Sequence, residues 1–201
     1  ESSVLLHMVS EVASDIPVLF LDTGKLFAET LQYRDQLVRE LGLSNLRIIS
    51  PDEADLNRTD PQGDLSSDNT DLCCHIRKTV PLARATEAYD VLISGRKRFH
   101  GATRSDLQFV TEQDGKLKVE PLAAFSALDL FNYMQTHHLP SHPLKLQGYH
   151  SIGCAPCTAP GGSESDPRAG RWQGSDKTEC GIHISANGQI IRTIVRAGAE
   201  A

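Results

Sequence analysis

Alternating hydrophobic and mixed blocks along the chain predict an α/β fold. Three short runs are almost wholly apolar and are bounded by turn residues, which is typical of strands buried on both faces of a sheet. These runs are residues 16–22, 46–50 and 89–95. The alternation of such strands with helical segments predicts a doubly wound, mostly parallel sheet that is covered by helices.

Segments with a helical period flank these strands. Residues 2–14 place their apolar side chains on one face of a helix, and residues 29–41 do the same before they end at Gly42. A third helix is expected from Cys73. Pro81 should limit the length of that helix, because proline breaks helix interiors.

The second half of the chain predicts smaller elements. The sequence DLQFVTEQDGKLKVEP indicates a hairpin that turns at Asp114 and Gly115. Ser126 and Asp129 resemble the N-cap of a helix that ends before Pro140.

Two polar stretches are predicted to be loops. Residues 51–71 contain seven acidic residues and a single base, Arg58, and loops of this length are usually functional or mobile. Residues 140–201 are rich in glycine, proline, serine and histidine. They predict loops and short elements, with one last helix or strand in QIIRTIVR.

The length of 201 residues suits a single domain. We expect residues 1–150 to form the α/β core and residues 151–201 to form a mobile tail. A doubly wound sheet normally opens with a strand, whereas this chain opens inside a helix. We therefore expect a strand and a turn to precede Glu1.

Composition and charge exclude several classes of protein. The start of the chain carries acids and a proline rather than a basic leader, and no apolar run approaches the roughly 18 residues of a membrane span. The net charge of −6 argues against general binding to nucleic acid or to membranes. These features indicate a cytoplasmic protein.

One basic segment interrupts this acidic chain. Residues 91–105 contain four cations and no acid, and they follow the third predicted strand, at the edge where parallel sheets bind ligands. The four cations are Arg96, Lys97, Arg98 and Arg104. The segment suits a small anionic ligand, and a solvated charged face is the alternative interpretation.

The cysteines suggest four metal ligands and one separate thiol. The five are Cys73, Cys74, Cys154, Cys157 and Cys180. An odd number in a chain without a secretory signal argues against a disulfide framework.

The adjacent pair and the C-x-x-C motif together offer four soft ligands. A tetrahedral zinc site could use them, but the side chains of neighbouring cysteines diverge along a regular backbone. An iron–sulfur cube presents separate iron corners, so each neighbour could bind one. We therefore favour a [4Fe–4S] cluster over zinc, with four unligated core cysteines as the third possibility.

Cys180 is a candidate nucleophile. It lies in DKTECGIH with Lys177 and His183 nearby in sequence, and cations lower the pKa of a thiol. Gly181 leaves the backbone open to a ligand. An inert cysteine on a flexible tail is the alternative.

Taken together, these motifs resemble the assimilatory adenylylsulfate reductases, which belong to a larger family that includes the phosphoadenylylsulfate reductases. The resemblance runs through FLDTG, CCHIRK, SGRKR, GATRS, IGCAPC and GRWQGSDKTECGIH, which span most of the chain. The paired cysteines with the distant C-x-x-C are its most specific part, because family members without a cluster lack them.

The resemblance implies a fold like that of the adenine nucleotide alpha-hydrolases, with a phosphate-binding loop of which only Glu1 and two serines are present here. It implies substrate contacts at Ser2, Ser3, Leu21, Thr23, Gly95 and Arg104. It implies that a [4Fe–4S] cluster is held by Cys73, Cys74, Cys154 and Cys157. Around the reacting sulfate it implies Lys78, Arg168, Arg171 and His183, with Cys180 as the nucleophile.

The implied reaction is the reduction of adenylylsulfate to sulfite and AMP. The Cys180 thiolate would attack the sulfur, and thioredoxin or glutaredoxin would then release sulfite from the resulting thiosulfonate. A homo-oligomer is compatible with this interpretation.

Three alternatives remain open at this stage. The substrate could carry a 3′-phosphate held by Arg96, Lys97 and Arg98. The chain could be an adenylating or nucleotide-hydrolysing relative with structural zinc. It could also be a non-catalytic iron–sulfur sensor that binds a nucleotide.

Overall fold

The computed structural model describes residues 2–100, 104–113, 115–163, 166, 168–174 and 177. Its helices are α1 (Ser2–Ala13), α2 (Ala28–Glu40), α3 (Glu53–Thr59), α4 (Leu65–Asp68), α5 (Thr70–Cys74), α6 (Val80–Thr86) and α7 (Ala127–Thr136). Its strands are β1 (Val18–Leu21), β2 (Leu46–Ile49), β3 (Val91–Ile93), β4 (Val110–Gln113) and β5 (Lys116–Val119). A π-helix spans His75–Thr79, and 3₁₀-helices span Arg98–His100, Pro143–Gln147 and Ala155–Cys157.

The strands pair mostly in parallel, as the sequence predicts, but they divide into two sheets. β1 pairs with β2 in the register Val18 to Leu46. β3 pairs in parallel with β5, and β4 pairs with β5 in the predicted antiparallel hairpin. The carboxyl ends of β3 and β5 therefore lie at the same edge, and so do those of β1 and β2.

The three apolar strands are less buried than predicted. All four residues of β1 are only partly buried. Ile48 of β2 is 52% exposed, and Val91 and Ile93 of β3 are 47% and 42% exposed. Each of these three strands has a single hydrogen-bonded neighbour among the described residues, which leaves one of its edges uncovered.

The main apolar core lies between α1 and α7. Val4, Leu122 and Leu130 are almost completely buried, and Leu5 and Tyr133 pack against them. The predicted start of α7 is confirmed in detail, because Ser126 and Asp129 form a reciprocal capping box.

Residues 51–71 are not the long loop that their polarity predicted. They form three short helices, the first capped by the Asp52 side chain, which accepts hydrogen bonds from the N–H groups of Ala54 and Asp55. Asn69 caps the third in the same way, through the Leu72 N–H. Side-chain caps therefore mark the starts of two of these helices, in a segment that has too few apolar residues to show a helical period.

The helix through the adjacent cysteines also runs further than expected. It starts at Thr70 and continues past Pro81 into α6, so the predicted limit at this proline is wrong. The chain passes through a π-turn at His75–Thr79, in which the Val80 N–H bonds to His75 O, immediately before the proline. Such wide turns are common at functional sites.

After α7 the chain forms only short helices, bridges and turns as far as it is described, as the composition of this region predicts. The predicted element in QIIRTIVR lies outside the described residues. Among the described helices, none is long and apolar enough to cross a membrane.

Candidate active site

Two pairs of cysteines that are distant from each other in sequence are buried in the same region. Cys73 and Cys74 end α5, whereas Cys154 and Cys157 flank a 3₁₀ turn. None of the four is in a disulfide. Cys154 and Cys157 lie close enough to Cys73 to raise the pKa of its thiol, so the two motifs lie close together.

The loop after β1 connects the sheet to the C-x-x-C turn. The Thr23 hydroxyl lies 3.2 Å from Cys154 Sγ, and the Ala155 N–H donates to Lys25 O at 2.8 Å. Leu26 forms a β-bridge with Cys154. The sequence predicted Thr23 to be a substrate contact, and the structure places its buried side chain against a candidate metal ligand.

Burial favours the protonated thiols. It raises the pKa of Cys73, and the nearby Cys154 and Cys157 raise it further, against the opposing charge of Arg77. Burial also raises the pKa of Cys157, together with the charge of Cys154. Four thiolates in this space would repel one another, so they need a cationic partner.

Three cations face Cys157. Lys78, Arg171 and Lys177 each act to lower the pKa of its thiol. Lys78 is buried in the π-turn, and Lys177 forms an ion pair with Asp71. The sequence predicted Lys78 and Arg171 to lie together at the site, and the structure brings both beside the C-x-x-C turn.

The guanidinium groups of both arginines in DPRAGRW lie over the ring of Trp172. The guanidinium of Arg171 lies 4.3 Å from the indole centre, and that of Arg168 lies 5.5 Å from it. The Arg171 Nε also donates to Cys157 O at 3.2 Å. Trp172 has φ 48°, which is unusual for a bulky residue, and its backbone N–H donates a hydrogen bond to Cys157 O.

Gly153 makes room for the Arg171 guanidinium. A Cβ at residue 153 would lie only 2.4 Å from Arg171 Nη2. Because real Cβ atoms do not approach so closely, any other residue at this position would displace the arginine.

Arg77 also belongs to the site. Its guanidinium forms a buried ion pair with Asp60 and donates to Thr23 O at 3.0 Å. This ties the π-turn both to α3–α4 and to the loop after β1. Burial alone would raise the pKa of Asp60, but Arg77, the Leu65 N–H and Lys25 together hold that pKa below its usual range.

The basic segment after β3 is not a set of open cations. Arg96 forms an ion pair with the buried Glu120. Lys97 is buried and donates to Gly95 O at 2.6 Å, and Arg98 donates to Leu107 O. The interpretation of this segment as a solvated charged face is therefore wrong for its first two cations.

The other predicted substrate residues lie apart from the cysteines in sequence and on different elements. Ser2 is exposed at the start of α1. The buried Ser3 hydroxyl makes no hydrogen bond of normal geometry to the described residues and lies near the Tyr33 hydroxyl, which donates to Pro140 O. Leu21 ends β1, and Gly95 packs against Leu5 and Leu122. Arg104 is partly buried.

Cys180 and His183 lie outside the described residues. Lys177, three residues before Cys180, is described and lies against Asp71. Within the described part of the chain, no group of three His, Cys, Asp or Glu side chains is arranged to hold a single metal ion.

Several residues of this region were missed by sequence reasoning. Trp172 could have been suspected as the only tryptophan of the chain, set beside an arginine. Asp60 and Glu120 carry no such signal, because a single acid in a polar segment looks the same whether it is exposed or buried.

Comparison with known proteins identifies the class to which this fold and site belong. A family model described as the phosphoadenosine phosphosulfate reductase domain matches residues 1–160. The chain belongs to this family.

Within the family, similar curated proteins are named adenosine 5′-phosphosulfate reductase. The one from Mesorhizobium japonicum is 49% identical over 185 residues, covering 92% of this chain and 73% of the relative. The one from Chelativorans sp. is 47% identical over 184 residues, covering 92% and 75%. The one from Mycobacterium tuberculosis is 39% identical over 190 residues, covering 91% and 73%.

Solved structures share the α/β fold at low sequence identity. A phosphoadenylyl-sulfate reductase from Candida auris superposes with a TM-score of 0.64 at 22% identity, covering 76% of this chain and 75% of the other. An FMN adenylyltransferase from Candida glabrata gives 0.51 at 14% identity, covering 73% and 43%. The expected α/β fold is thereby confirmed.

Proposed function

We propose that the protein reduces adenylylsulfate to sulfite and AMP in assimilatory sulfate reduction. The observation that carries this proposal is the convergence of four buried cysteines with Lys78 and Arg171. The family and the name shared by its 37–49% identical relatives support it.

The donor set fits a [4Fe–4S] cluster. Four buried thiols that form no disulfide are the kind of ligands that an iron–sulfur cube takes. We assign Cys73, Cys74, Cys154 and Cys157 to it. When bound, the cluster would supply a buried, charged centre that tunes the electrostatics of the neighbouring cations.

The cations beside the C-x-x-C turn would hold the sulfate. A thiolate that attacks the sulfate of a phosphosulfate anhydride is an anion approaching an anion, so the transition state needs positive charge already in place. Lys78 is buried, Arg171 donates to Cys157 O, and the Arg168 guanidinium lies over the same indole as that of Arg171. His183 completes this proposed set.

The nucleotide would occupy the carboxyl ends of the parallel strands. Leu21 ends β1, Thr23 lies in the loop after β1, and Gly95 follows β3. We propose that these residues contact it together with Arg104, Ser2 and Ser3. The buried Ser3 hydroxyl is compatible with this assignment, because it makes no hydrogen bond of normal geometry to the described residues.

The chemistry takes place in two displacements. The Cys180 thiolate attacks the sulfate sulfur, an S–S bond forms, the S–O bond to the phosphate breaks, and AMP leaves. A second thiolate then attacks Cys180 Sγ, sulfite leaves, and a mixed disulfide forms. A neighbouring thiol of the donor resolves that disulfide, so the donor dithiol supplies the two electrons and is oxidised to a disulfide.

Thioredoxin or glutaredoxin is the proposed donor of the second thiol. The nucleophile reacts first with a nucleotide and then with a protein thiol, so it needs an accessible position. We propose one reductase domain over residues 1–201, with a nucleotide-binding core in 1–150 and a catalytic tail from 151. We also propose that the protein is cytoplasmic and that it self-associates.

Turnover tests the proposal. The full chain, prepared without oxygen, should release sulfite and AMP from adenylylsulfate when thioredoxin, its reductase and NADPH are present. Cys180→Ser should abolish sulfite release while AMP still binds. Sulfite release by Cys180→Ser at the wild-type rate would refute it.

A further inference from the structure

The segment that follows β3 is held in place by a buried carboxylate. Ser94 and Glu120 are the first residues after β3 and β5, and the Ser94 N–H donates to Val119 O at 2.9 Å. Since these strands run in parallel, both residues lie at the edge where the nucleotide is proposed to bind.

Glu120 accepts hydrogen bonds from this segment through both of its oxygens. The Ser94 hydroxyl donates to Oε2 at 2.5 Å, and the Arg96 N–H donates to the same atom at 3.3 Å. The Arg96 Nε donates to Oε1 at 2.7 Å, and its Nη2 also contacts this oxygen. Glu120 is 2% exposed, so it has been taken out of water for these contacts.

The ion pair removes the charge of Arg96 from the binding edge. Its side chain is 33% exposed, so a ligand could approach it. The Nε and Nη2 groups of Arg96 both donate to Glu120 Oε1, so Glu120 occupies donors that would otherwise be open to a phosphate group. The basic segment therefore offers less positive charge than its sequence suggests.

We infer that Glu120 is a specificity-determining residue, which neutralises Arg96 and so keeps the site from favouring a 3′-phosphorylated nucleotide. This inference rests on the proposed function, because it assumes that the nucleotide binds at this edge. Glu120 acts through Arg96 and through the position of residues 94–96, and it need not touch the substrate.

A charge series tests this inference without turnover. The net charge of the pair is zero in the wild type, positive in Glu120→Gln, negative in Arg96→Gln, and zero again in the double variant. Calorimetry at low salt would give dissociation constants for AMP and for adenosine 3′,5′-bisphosphate. The matched control is Glu112→Gln, which removes an exposed acid from β4.

The preference for the bisphosphate over AMP should follow the charge of the pair. We expect it to rise on the order of threefold to fivefold in Glu120→Gln, fall by a similar factor in Arg96→Gln, and fade as salt is added. The double variant and Glu112→Gln should match the wild type. If Glu120→Gln does not fold, the opposite shift in Arg96→Gln still decides.

Two results would overturn the inference, and they differ in what else they affect. Equal changes in both affinities, or a preference that ignores the charge series, would show that Glu120 only shapes the segment. Failure of the wild type to bind either nucleotide would overturn the proposed function as well.

Discussion

The buried ion pair of Asp60 and Arg77 is a polar link between separate parts of the described structure. Both side chains are nearly inaccessible to solvent, and the pair joins three segments of the chain. Removing one partner of such a pair leaves an uncompensated buried charge, which costs far more than loss of an exposed pair.

Asp60→Asn should therefore destabilise the protein by about 3–5 kcal/mol, as loss of one buried partner does. Asp55→Asn is the matched control, because Asp55 pairs with Arg58 on the surface of α3 and should cost less than about 1 kcal/mol. Urea unfolding followed by circular dichroism measures both. Equal losses would contradict the importance assigned to the buried pair.

Gly153 provides a second test at the residue scale. In Gly153→Ala the new methyl group would occupy the position of the Arg171 guanidinium, and this cation would move away from Cys157. Misplacing a catalytic group by about 1 Å can cost on the order of 100-fold, so we expect a 10- to 100-fold loss of kcat/KM.

The control for Gly153→Ala is Ser151→Ala, two residues earlier, which should leave kcat/KM within about twofold, as surface changes usually do. Steady-state kinetics with adenylylsulfate, together with the circular dichroism of both variants, supply the comparison. Unchanged activity in Gly153→Ala would mean that the position of Arg171 does not matter for the reaction.

At the element scale, the π-turn connects the loop after β1 to the cysteine site. It carries Arg77 and Lys78 on the segment that directly follows Cys73 and Cys74. A regular helix would have ended or kinked at Pro81, whereas the wide turn lets the chain continue. The cations thus stay on the same helical segment as the thiols.

The link from this element to α3–α4 should depend on pH. The pKa of Asp60 is lower in the folded state than the unfolded value of about 3.9, so its ionised form is stabilised by folding. That contribution is fully present above about pH 4 and is lost as the pH falls through the folded pKa.

The stability difference between wild type and Asp60→Asn should therefore stay constant from neutral pH down to about pH 4, the range above the unfolded pKa, and shrink below it. Urea unfolding of both proteins at a series of pH values measures this difference. The lowered pKa values of Asp35 and Asp129 are common to both and cancel. A difference that grows in acid would have the wrong sign for this pair.

At the scale of the whole molecule, the sequence predicted the helices and strands better than it predicted their burial and their neighbours. The α7 capping box and the 110–119 hairpin follow from local signals, and they are present. The helices α3 and α4 were missed, and α5 begins before the predicted Cys73, because this segment has no apolar period and only side-chain caps mark the starts of α3 and α5. The burial of the strands was overestimated, since a run of apolar residues does not reveal how many neighbours a strand has.

The site was predictable in its ligand types but not in its supporting contacts. Cysteine spacing pointed to Cys73, Cys74, Cys154 and Cys157, and the structure brings these motifs together. The contacts of Arg77 and Glu120 depend on residues far away in sequence, which no local pattern reveals.

The cluster makes a prediction about the whole site. Anaerobic reconstitution should load about four iron and four sulfide per chain, as a [4Fe–4S] centre requires. Cys157→Ser should lose most of both, whereas Cys180→Ser should keep them. Metal and sulfide analysis decides, and a single metal ion without sulfide would indicate the alternative zinc site.

The central claim is that Cys180 forms a covalent intermediate with the sulfate of adenylylsulfate. Intact-protein and peptide mass spectrometry, after mixing the anaerobic full chain with adenylylsulfate in the absence of thioredoxin, tests this most directly. The account predicts a sulfite-mass adduct on Cys180 alone, formed together with AMP and discharged by reduced thioredoxin. Release of AMP without any adduct on Cys180, or an adduct that persists with reduced thioredoxin, would contradict it.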